Sequence, residues 1–334
     1  MKRWSMVALC VLIIQGVNLA AGGGKQTNPD DYVLKVGIGI TAGLCTAPFF
    51  IAGEKGFYAE EGLKYEEIKI DVNQTHQLLT TGQIDISNFL LAGMIQPLAN
   101  GLDVKIPLGL HTGCIKVLAD PDSAIRTVAD LRGKRIGISG LGAPPALIAQ
   151  RYLAREGINV GPDGGEVEWL TFTQSDLPLA LERKQVDAIA LNDPAAWIVE
   201  REGKGRVIID TTTDEYLKDE ICCVVEASNR VYEQHPEALA KAVRALQKAV
   251  RYVQENPEET ARLMAEKNYV AGDPEVNAQV LKSYTYRASV SGAREAILRN
   301  SYDLQRIGVV DQSVDVEAVS SRVFAPLPGV PDSL

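Results

Sequence analysis

Residues 35–63 read KVGIGITAGLCTAPFFIAGEKGFYAEEGL, and much of the architecture follows from this segment. Its first apolar residues alternate with two glycines, which is typical of a strand that a neighbouring group approaches closely. Small residues follow, Thr46 is a candidate cap, and Pro48 stands in the first turn of a predicted helix, where its missing N–H costs nothing. That helix ends at Gly56. Because a helix start directs free peptide N–H groups beyond the strand end, the segment predicts a ligand-binding loop.

The same order of elements returns at residues 135–146, which read RIGISGLGAPPA. A strand, a glycine-rich loop and a proline-started helix predict a second ligand loop, formed by Ser139, Gly140, Leu141, Gly142 and Ala143. Since the two prolines that follow have no N–H, the donors are expected from the peptide groups of 140–143 and from the Ser139 hydroxyl. Donors at the positive end of a helix dipole suit an oxyanion. The alternative is a tight turn that needs glycine only for its backbone conformation.

Strand-like and helix-like runs alternate through the first two thirds of the chain, which predicts an α/β fold with mostly parallel sheets. Strands are expected near 34–40, 65–70, 84–89, 104–110, 114–119, 135–139, 166–171, 187–191, 206–210 and 221–226. Residues 231–307 are predicted to be nearly all helical. The expected domains are a first lobe at 31–115 and 219–310, a second lobe at 116–218, and a loose tail at 311–334. Two chain crossings between the lobes predict a cleft that opens and closes about a hinge.

The N-terminal residues indicate where the protein is located, and the net charge argues against one class of binding partner. Lys2 and Arg3 precede a short apolar run that ends before Ala21, so residues 1–21 predict a cleaved secretory signal peptide and a periplasmic protein. Lipid attachment at Cys10 is a disfavoured alternative, because Leu9 is bulky where such a site needs a small residue. The formal net charge is −9 and the chain has no basic patch, which argues against nucleic acid as a partner.

Two motifs that are typical of enzymes are matched only in part. The segment GIGITA at 37–42 has the spacing of a dinucleotide fingerprint, but both glycines lie inside the strand rather than after it. Ser139 lacks a nucleophile elbow, because Leu141 replaces the second glycine. His76 and His235 are predicted to be solvated residues at helix starts. We therefore predict a binding protein without a cofactor rather than an enzyme.

Two cysteines and one histidine are candidate ligands of a metal ion. Cys45 lies just past the first strand, and His111 and Cys114 lie at the end of the strand 104–110, so the three side chains are candidates for one soft-metal site. We favour neutral pocket-wall residues and no metal, because no second His/Cys cluster completes four-coordination. Cys222 and Cys223 are predicted to be half-buried thiols on opposite faces of a strand, and disulfide formation stays open.

Asn192 and Asp193 follow the predicted strand 187–191 and precede a helix. Asp193 is either a helix cap or, if it faces the cleft, the partner of an ammonium or hydroxyl group on a ligand. The sequence by itself does not choose between these two interpretations.

Four segments together carry a resemblance to a known family: EKGFYAEEGL at 54–63, LTTGQID at 79–85, ADLRGKRIG at 129–137 and LERKQVDA at 181–188. They resemble the substrate-binding proteins of ABC importers for sulfonates, taurine and nitrate, a family that also includes thiamine-pyrimidine precursor binders. The resemblance implies a two-lobed type II periplasmic binding protein fold, a closing cleft and delivery to a permease in the inner membrane. It implies ligand contacts from the candidate residues Thr41, Cys45, Thr46, Asn88, His111, Thr112, Ser139, Gly140, Leu141, Gly142, Ala143, Asn192 and Asp193.

The function expected from these observations is capture of a small organic anion or zwitterion, either taurine-like or an alkyl sulfonate, by a monomeric binding protein. The alternatives are a binding protein or synthase related to thiamine-pyrimidine precursors, a ligand-responsive sensor domain, and a metal-assisted ligand binder that uses Cys45, His111 and Cys114. The signal peptide argues against the synthase.

Overall fold

The computed structural model describes residues 32–39, 43–161 and 164–334. The predicted signal peptide, Cys10 and Thr41 lie outside the described residues. No helix in the described part of the chain is long and apolar enough to cross a membrane.

Two β-sheets form the centres of two lobes. The first sheet has six strands in the order β11-β4-β10-β3-β1-β2, and the second has five in the order β7-β6-β8-β5-β9. The strands are β1 (Val33–Gly39), β2 (Lys64–Ile70), β3 (Ile86–Leu90), β4 (Val104–Thr112), β5 (Ile115–Ala119), β6 (Arg135–Ile138), β7 (Glu168–Thr171), β8 (Ala188–Asn192), β9 (Arg206–Asp210), β10 (Ile221–Ser228) and β11 (Thr285–Ser289).

Helices cover both sheets. They are α1 (Ala47–Glu54), α2 (Phe57–Glu60), α3 (Thr75–Thr80), α4 (Leu91–Ala99), α5 (Pro144–Arg155), α6 (Leu177–Glu182), α7 (Ala195–Arg201), α8 (Asn229–Gln234), α9 (Pro236–Glu255), α10 (Pro257–Glu266), α11 (Pro274–Ser283), α12 (Val290–Arg306) and α13 (Val316–Val323). Helix α9 shows why these segments fold locally: it begins at a proline, and Leu239, Val243, Leu246 and Val250 recur on one buried face at helical spacing.

The sheets are mixed, so the prediction of mostly parallel sheets was wrong. Strand β1 pairs in parallel with β2 and β3, and β6 pairs in parallel with β7 and β8. Strand β10 is antiparallel to β3 and β4, and β5 is antiparallel to β8 and β9. The antiparallel pairs involve the strands beside the two crossings, where the chain leaves the first sheet at 113–114 and returns between Asp210 and Ile221. These crossings replace the helical connections that a purely parallel sheet requires.

The C-terminal third differs from expectation at two places. The region predicted to be nearly all helical is interrupted by β11, an edge strand antiparallel to β4. The predicted loose tail includes α13, and Phe324 forms a parallel bridge with Ile106 of β4. Val323 and Ala325 are fully buried in the tail. Isolated apolar residues without a repeat give no local signal, and they become structural only when another element covers them.

One buried arginine joins the two lobes. Arg151 of α5 is enclosed between the lobes, and its guanidinium donates to Glu220 at 2.6 and 2.8 Å, to Asp303 of α12 at 2.7 and 3.0 Å, and to Asn300 at 2.9 Å. The Arg151 side chain has no exposed surface, and those of Glu220 and Asp303 are 6% and 9% exposed. The network gives both buried carboxylates a charged hydrogen-bond donor.

Candidate functional site

A cleft of about 860 Å³ lies between the lobes, within the size range of small-molecule sites. Both predicted loops border it. The described residues that line it are Gly39, Gly43, Cys45, Thr46, Val72, Asn73, Ser87, Asn88, Phe89, Leu90, Gly93, Ser139, Gly142, Ala143, Pro144, Pro145, Gln174, Asn192, Asp193, Pro194, Asn268, Tyr269, Val270 and Ala271.

The first-lobe wall is built by the end of β1, the short 3₁₀ turn Leu44–Thr46 and the end of β3. Thr46 does not cap α1 through its side chain, since its backbone is already helical with φ of −84° and ψ of −4°. Its hydroxyl donates to the Gly43 carbonyl at 2.8 Å. That bond closes the turn and holds Cys45 at the cleft edge. Asn88 is half-buried on the same wall.

The second-lobe loop contributes fewer donors than the sequence suggests. Ser139, Gly142 and Ala143 line the cleft, whereas Gly140 and Leu141 are not among its lining residues, and Leu141 is 58% exposed. The Ala143 N–H donates to the Gly140 carbonyl at 3.0 Å, so it is used within the turn. The Gly142 N–H has no protein acceptor in the described part of the chain. The polar groups that this loop offers to the cleft are therefore this N–H and the exposed Ser139 hydroxyl.

Asp193 combines the two roles that the sequence left open. Its Oδ1 accepts from the Trp197 N–H of α7 at 2.9 Å, which is a helix-capping bond. Its Oδ2 is buried without a hydrogen-bond partner among the described residues, although Asp193 lines the cleft. Burial raises the pKa of the Asp193 carboxyl to about 7, against the lowering effect of the Lys116 charge. A buried acceptor without a protein partner can accept from a water molecule or from a donor on a ligand.

His111 and Thr112 do not line the cleft. His111 is fully buried, and its ring stacks on Tyr284 with 5.2 Å between ring centroids. Because His111 lies inside β4, its side chain points into the interior of the first lobe, behind Cys45. The prediction for His76 was also wrong: its Nε2 lies 3.3 Å from a carboxylate oxygen of Glu226, a residue with no exposed surface.

Sequence reasoning missed part of the cleft wall. Gln174 lies next to Asn192 in the second lobe, and its Nε2 donates to the Asn192 Oδ1 at 2.6 Å. Residues 268–271, just after α10, form a further stretch of the wall. Only Asn268, with φ of +58°, marks this stretch as a turn. No motif identified it, because the segment belongs to the cleft only through the packing of α10.

The cysteines converge more than predicted. Cys222 and Cys223 do not lie on opposite faces: their sulfur atoms and that of Cys114 are all within 4.8 Å of one another. The cause is a register shift in the pairing of β10 with β4 on both sides of Cys223, which interrupts the alternation of an ideal strand. Cys114 and Cys222 Sγ are 3.0 Å apart.

Comparison with known proteins agrees with this architecture. A family model described as NMT1/THI5 like matches residues 45–260. A relative from Bacillus subtilis (strain 168), named "Putative aliphatic sulfonates-binding protein", is 24% identical over 337 residues that cover 97% of this chain and 96% of the relative.

Two solved structures share the fold. The periplasmic aliphatic sulphonate binding protein SsuA from Escherichia coli has a TM-score of 0.72 at 18% identity, covering 87% of this chain and 97% of that one. The periplasmic nitrate-binding protein NrtA from Synechocystis PCC 6803 has a TM-score of 0.69 at 17% identity, covering 87% and 85%. The two-lobed periplasmic binding protein fold implied by the sequence resemblance is confirmed. Because the family model spans more than half of its length, this chain belongs to the NMT1/THI5-like family.

Proposed function

We propose that the protein is a periplasmic solute-binding protein that captures a small organic zwitterion and delivers it, as a monomer, to the permease of an ABC importer. The observation that carries this proposal is Asp193, a residue of the cleft lining whose buried Oδ2 has no hydrogen-bond partner among the described residues. The names of the relatives concern aliphatic sulfonates and nitrate, which supports the anionic group of the proposed ligand.

The charge of the lining favours a zwitterion over a simple anion. Asp193 is the one charged residue among the described residues that line the cleft. An anionic group would be held by neutral donors, namely the Gly142 N–H, the Ser139 hydroxyl and side-chain amides such as that of Asn88. A cationic group would be held by the Asp193 carboxylate. A taurine-like compound has both groups, whereas an alkyl sulfonate leaves Asp193 buried without a partner.

Binding of an ammonium group is expected to ionise Asp193. Since burial raises its pKa to about 7 in the free protein, protonated and ionised molecules coexist at neutral pH. A ligand ammonium next to Oδ2 lowers that pKa and releases the proton. Binding at pH 7 should therefore release a fraction of a proton per ligand, which calorimetry in buffers of different ionisation enthalpy measures.

The test compares taurine with ethanesulfonate on the wild type and on Asp193→Asn, by calorimetric titration. The Asn side chain keeps an oxygen for the Trp197 N–H, so the capping bond is preserved. We expect taurine binding to weaken by about 2–5 kcal/mol, because a buried ammonium loses its charged partner, and ethanesulfonate binding to change little. Asp176→Asn is a matched control, since Asp176 is an exposed residue before α6 on the same lobe. Equal small effects on both ligands would show that Asp193 is only a helix cap, and the zwitterion would have to be abandoned.

A further inference from the structure

Five soft or borderline donors meet beneath the first-lobe wall of the cleft. They are Cys45 after β1, His111 in β4, Cys114 at the crossing, and Cys222 and Cys223 in β10. The donor atoms of Cys45, His111 and Cys223 all lie within 4.8 Å of one another, as do the sulfurs of Cys114, Cys222 and Cys223. Cys223 is common to both groups. Residues distant in sequence are thus brought to the spacing that ligands of one ion require.

The hydrogen bonding of the His111 ring leaves its Nε2 able to bind a metal ion. Its Nδ1 lies 3.2 Å from the Thr112 carbonyl oxygen. Because a carbonyl oxygen only accepts, Nδ1 carries the proton of the neutral ring and Nε2 presents a lone pair. Nε2 is buried and has no hydrogen-bond partner in the part of the chain that the structure describes. A backbone carbonyl that orients the far ring nitrogen is the usual outer contact of a metal-bound histidine.

The backbone departs from regular geometry on two sides of this cluster. Cys114 has φ of +91°, a conformation that a residue other than glycine adopts only at a cost of about 1–3 kcal/mol. The register shift around Cys223 directs its sulfur toward both groups of donors. Both irregularities therefore lie at cysteines of the cluster.

We propose that Cys45, His111 and Cys223 bind one soft monovalent d¹⁰ metal ion of the Cu(I) class, with two thiolates and one imidazole as ligands. Thiolate donors favour Cu(I), and imidazole also suits copper. Structural Zn²⁺ almost always takes four tetrahedral ligands, whereas the group around His111 offers three donor atoms within range among the described residues. Binding deprotonates both thiols, so two protons leave and the ion with its ligands carries one negative charge.

The site adjoins the cleft at one ligand only. Cys45 is 5% exposed and lines the cleft, whereas His111 and Cys223 have no exposed surface. An ion would therefore enter past Cys45. The proposal goes beyond solute capture, because none of the groups assigned to the zwitterion belongs to this cluster.

The experiment is an anaerobic titration of the reduced, exported protein with Cu(I) against a chromophoric Cu(I) chelator, followed by X-ray absorption spectroscopy at the copper edge. We expect one copper per chain, with two sulfur ligands and one nitrogen ligand. Cys45→Ser is the main variant, since Cys45 lies at the cleft edge, and it should weaken binding by more than about 100-fold. Cys222→Ser is the matched control, because Cys222 is a thiol of the neighbouring group, and it should retain the wild-type stoichiometry. Thermal melting without metal establishes that both variants fold.

Three outcomes would overturn the proposal. Reduced wild-type protein that binds no copper in competition with the chelator would remove the site. Loss of copper in Cys222→Ser together with retention in Cys45→Ser would move the ion to the Cys114, Cys222 and Cys223 group. Peptide mapping that finds Cys45 or Cys223 in a disulfide of the exported protein would show that these thiols serve as a bridge. Titration of metal-free protein with taurine tests solute capture separately, so failure of one proposal leaves the other measurable.

Discussion

Replacing Arg151 by methionine should destabilise the protein more than the same substitution of an exposed arginine. Methionine is apolar and fills much of the same space, but it leaves the carboxylates of Glu220 and Asp303 without their shared cation. Breaking a buried pair in this way costs about 3–5 kcal/mol. Arg299 lies 3.2 Å from Glu220 and Arg306 lies 3.1 Å from Asp303, and both are more exposed. Because these neighbours offer partial compensation, we expect the lower end, about 3 kcal/mol.

The assay is urea unfolding at pH 7, with Arg155→Met as the matched control. Arg155 lies one turn further along α5, is exposed, and stacks 3.9 Å from the centroid of the Tyr216 ring. Losing that contact should cost about 0.5–1 kcal/mol. A loss below about 1 kcal/mol for Arg151→Met would refute the argument that the buried carboxylates depend on this guanidinium.

The same comparison at acid pH tests the electrostatic origin of the loss. Burial opposes ionisation of Asp303, but the Arg151 charge outweighs it and lowers the pKa of the Asp303 carboxyl below its usual value. A carboxyl with a lowered folded pKa contributes stability above its unfolded pKa and loses it as the pH falls through the folded pKa. The wild type should therefore lose this contribution below about pH 4, and its advantage over Arg151→Met should shrink. An advantage that grows in acid would contradict the assignment.

Two further predictions concern the cleft and the crossing. Ligand-free Asp193→Asn should be more stable than the wild type at pH 8 by up to about 4 kcal/mol. Burial raises the pKa of the Asp193 carboxyl in the folded protein to about 7, so ionisation of this group destabilises the fold. The gain should vanish near pH 4, and urea midpoints that are equal for the two proteins at both pH values would exclude this penalty. Gly113→Ala should lower the free energy of unfolding by about 1–3 kcal/mol more than Gly101→Ala does. Both glycines have positive φ (+85° and +96°), but only a Cβ at 113 would lie 2.5 Å from the Thr212 methyl group. Equal melting temperatures for the two variants would show that the crossing accommodates the added carbon.

Several features of this protein could be predicted from neighbouring residues alone. Alternating apolar residues, glycines at positive φ such as Gly56, and prolines at helix starts act on the backbone within one or two turns, so the α/β class and the positions of most strands follow from them. The two loops after β1 and β6 were identifiable for the same reason. Asp193 was recognised as a candidate because it directly follows a buried strand.

The tertiary structure decided which residues share a site. The sulfurs of Cys45 and Cys223 approach each other because β1 and β10 both flank β3, and the register shift in β10 decides where Cys223 points. Arg151 lies in a helix whose sequence does not reveal that Glu220 and Asp303 face it from the other lobe. Residues 268–271 join the cleft only through the packing of α10. Local sequence limits backbone conformation, whereas contacts between distant segments depend on strand register, sheet order and burial, which arise only when the whole chain is packed.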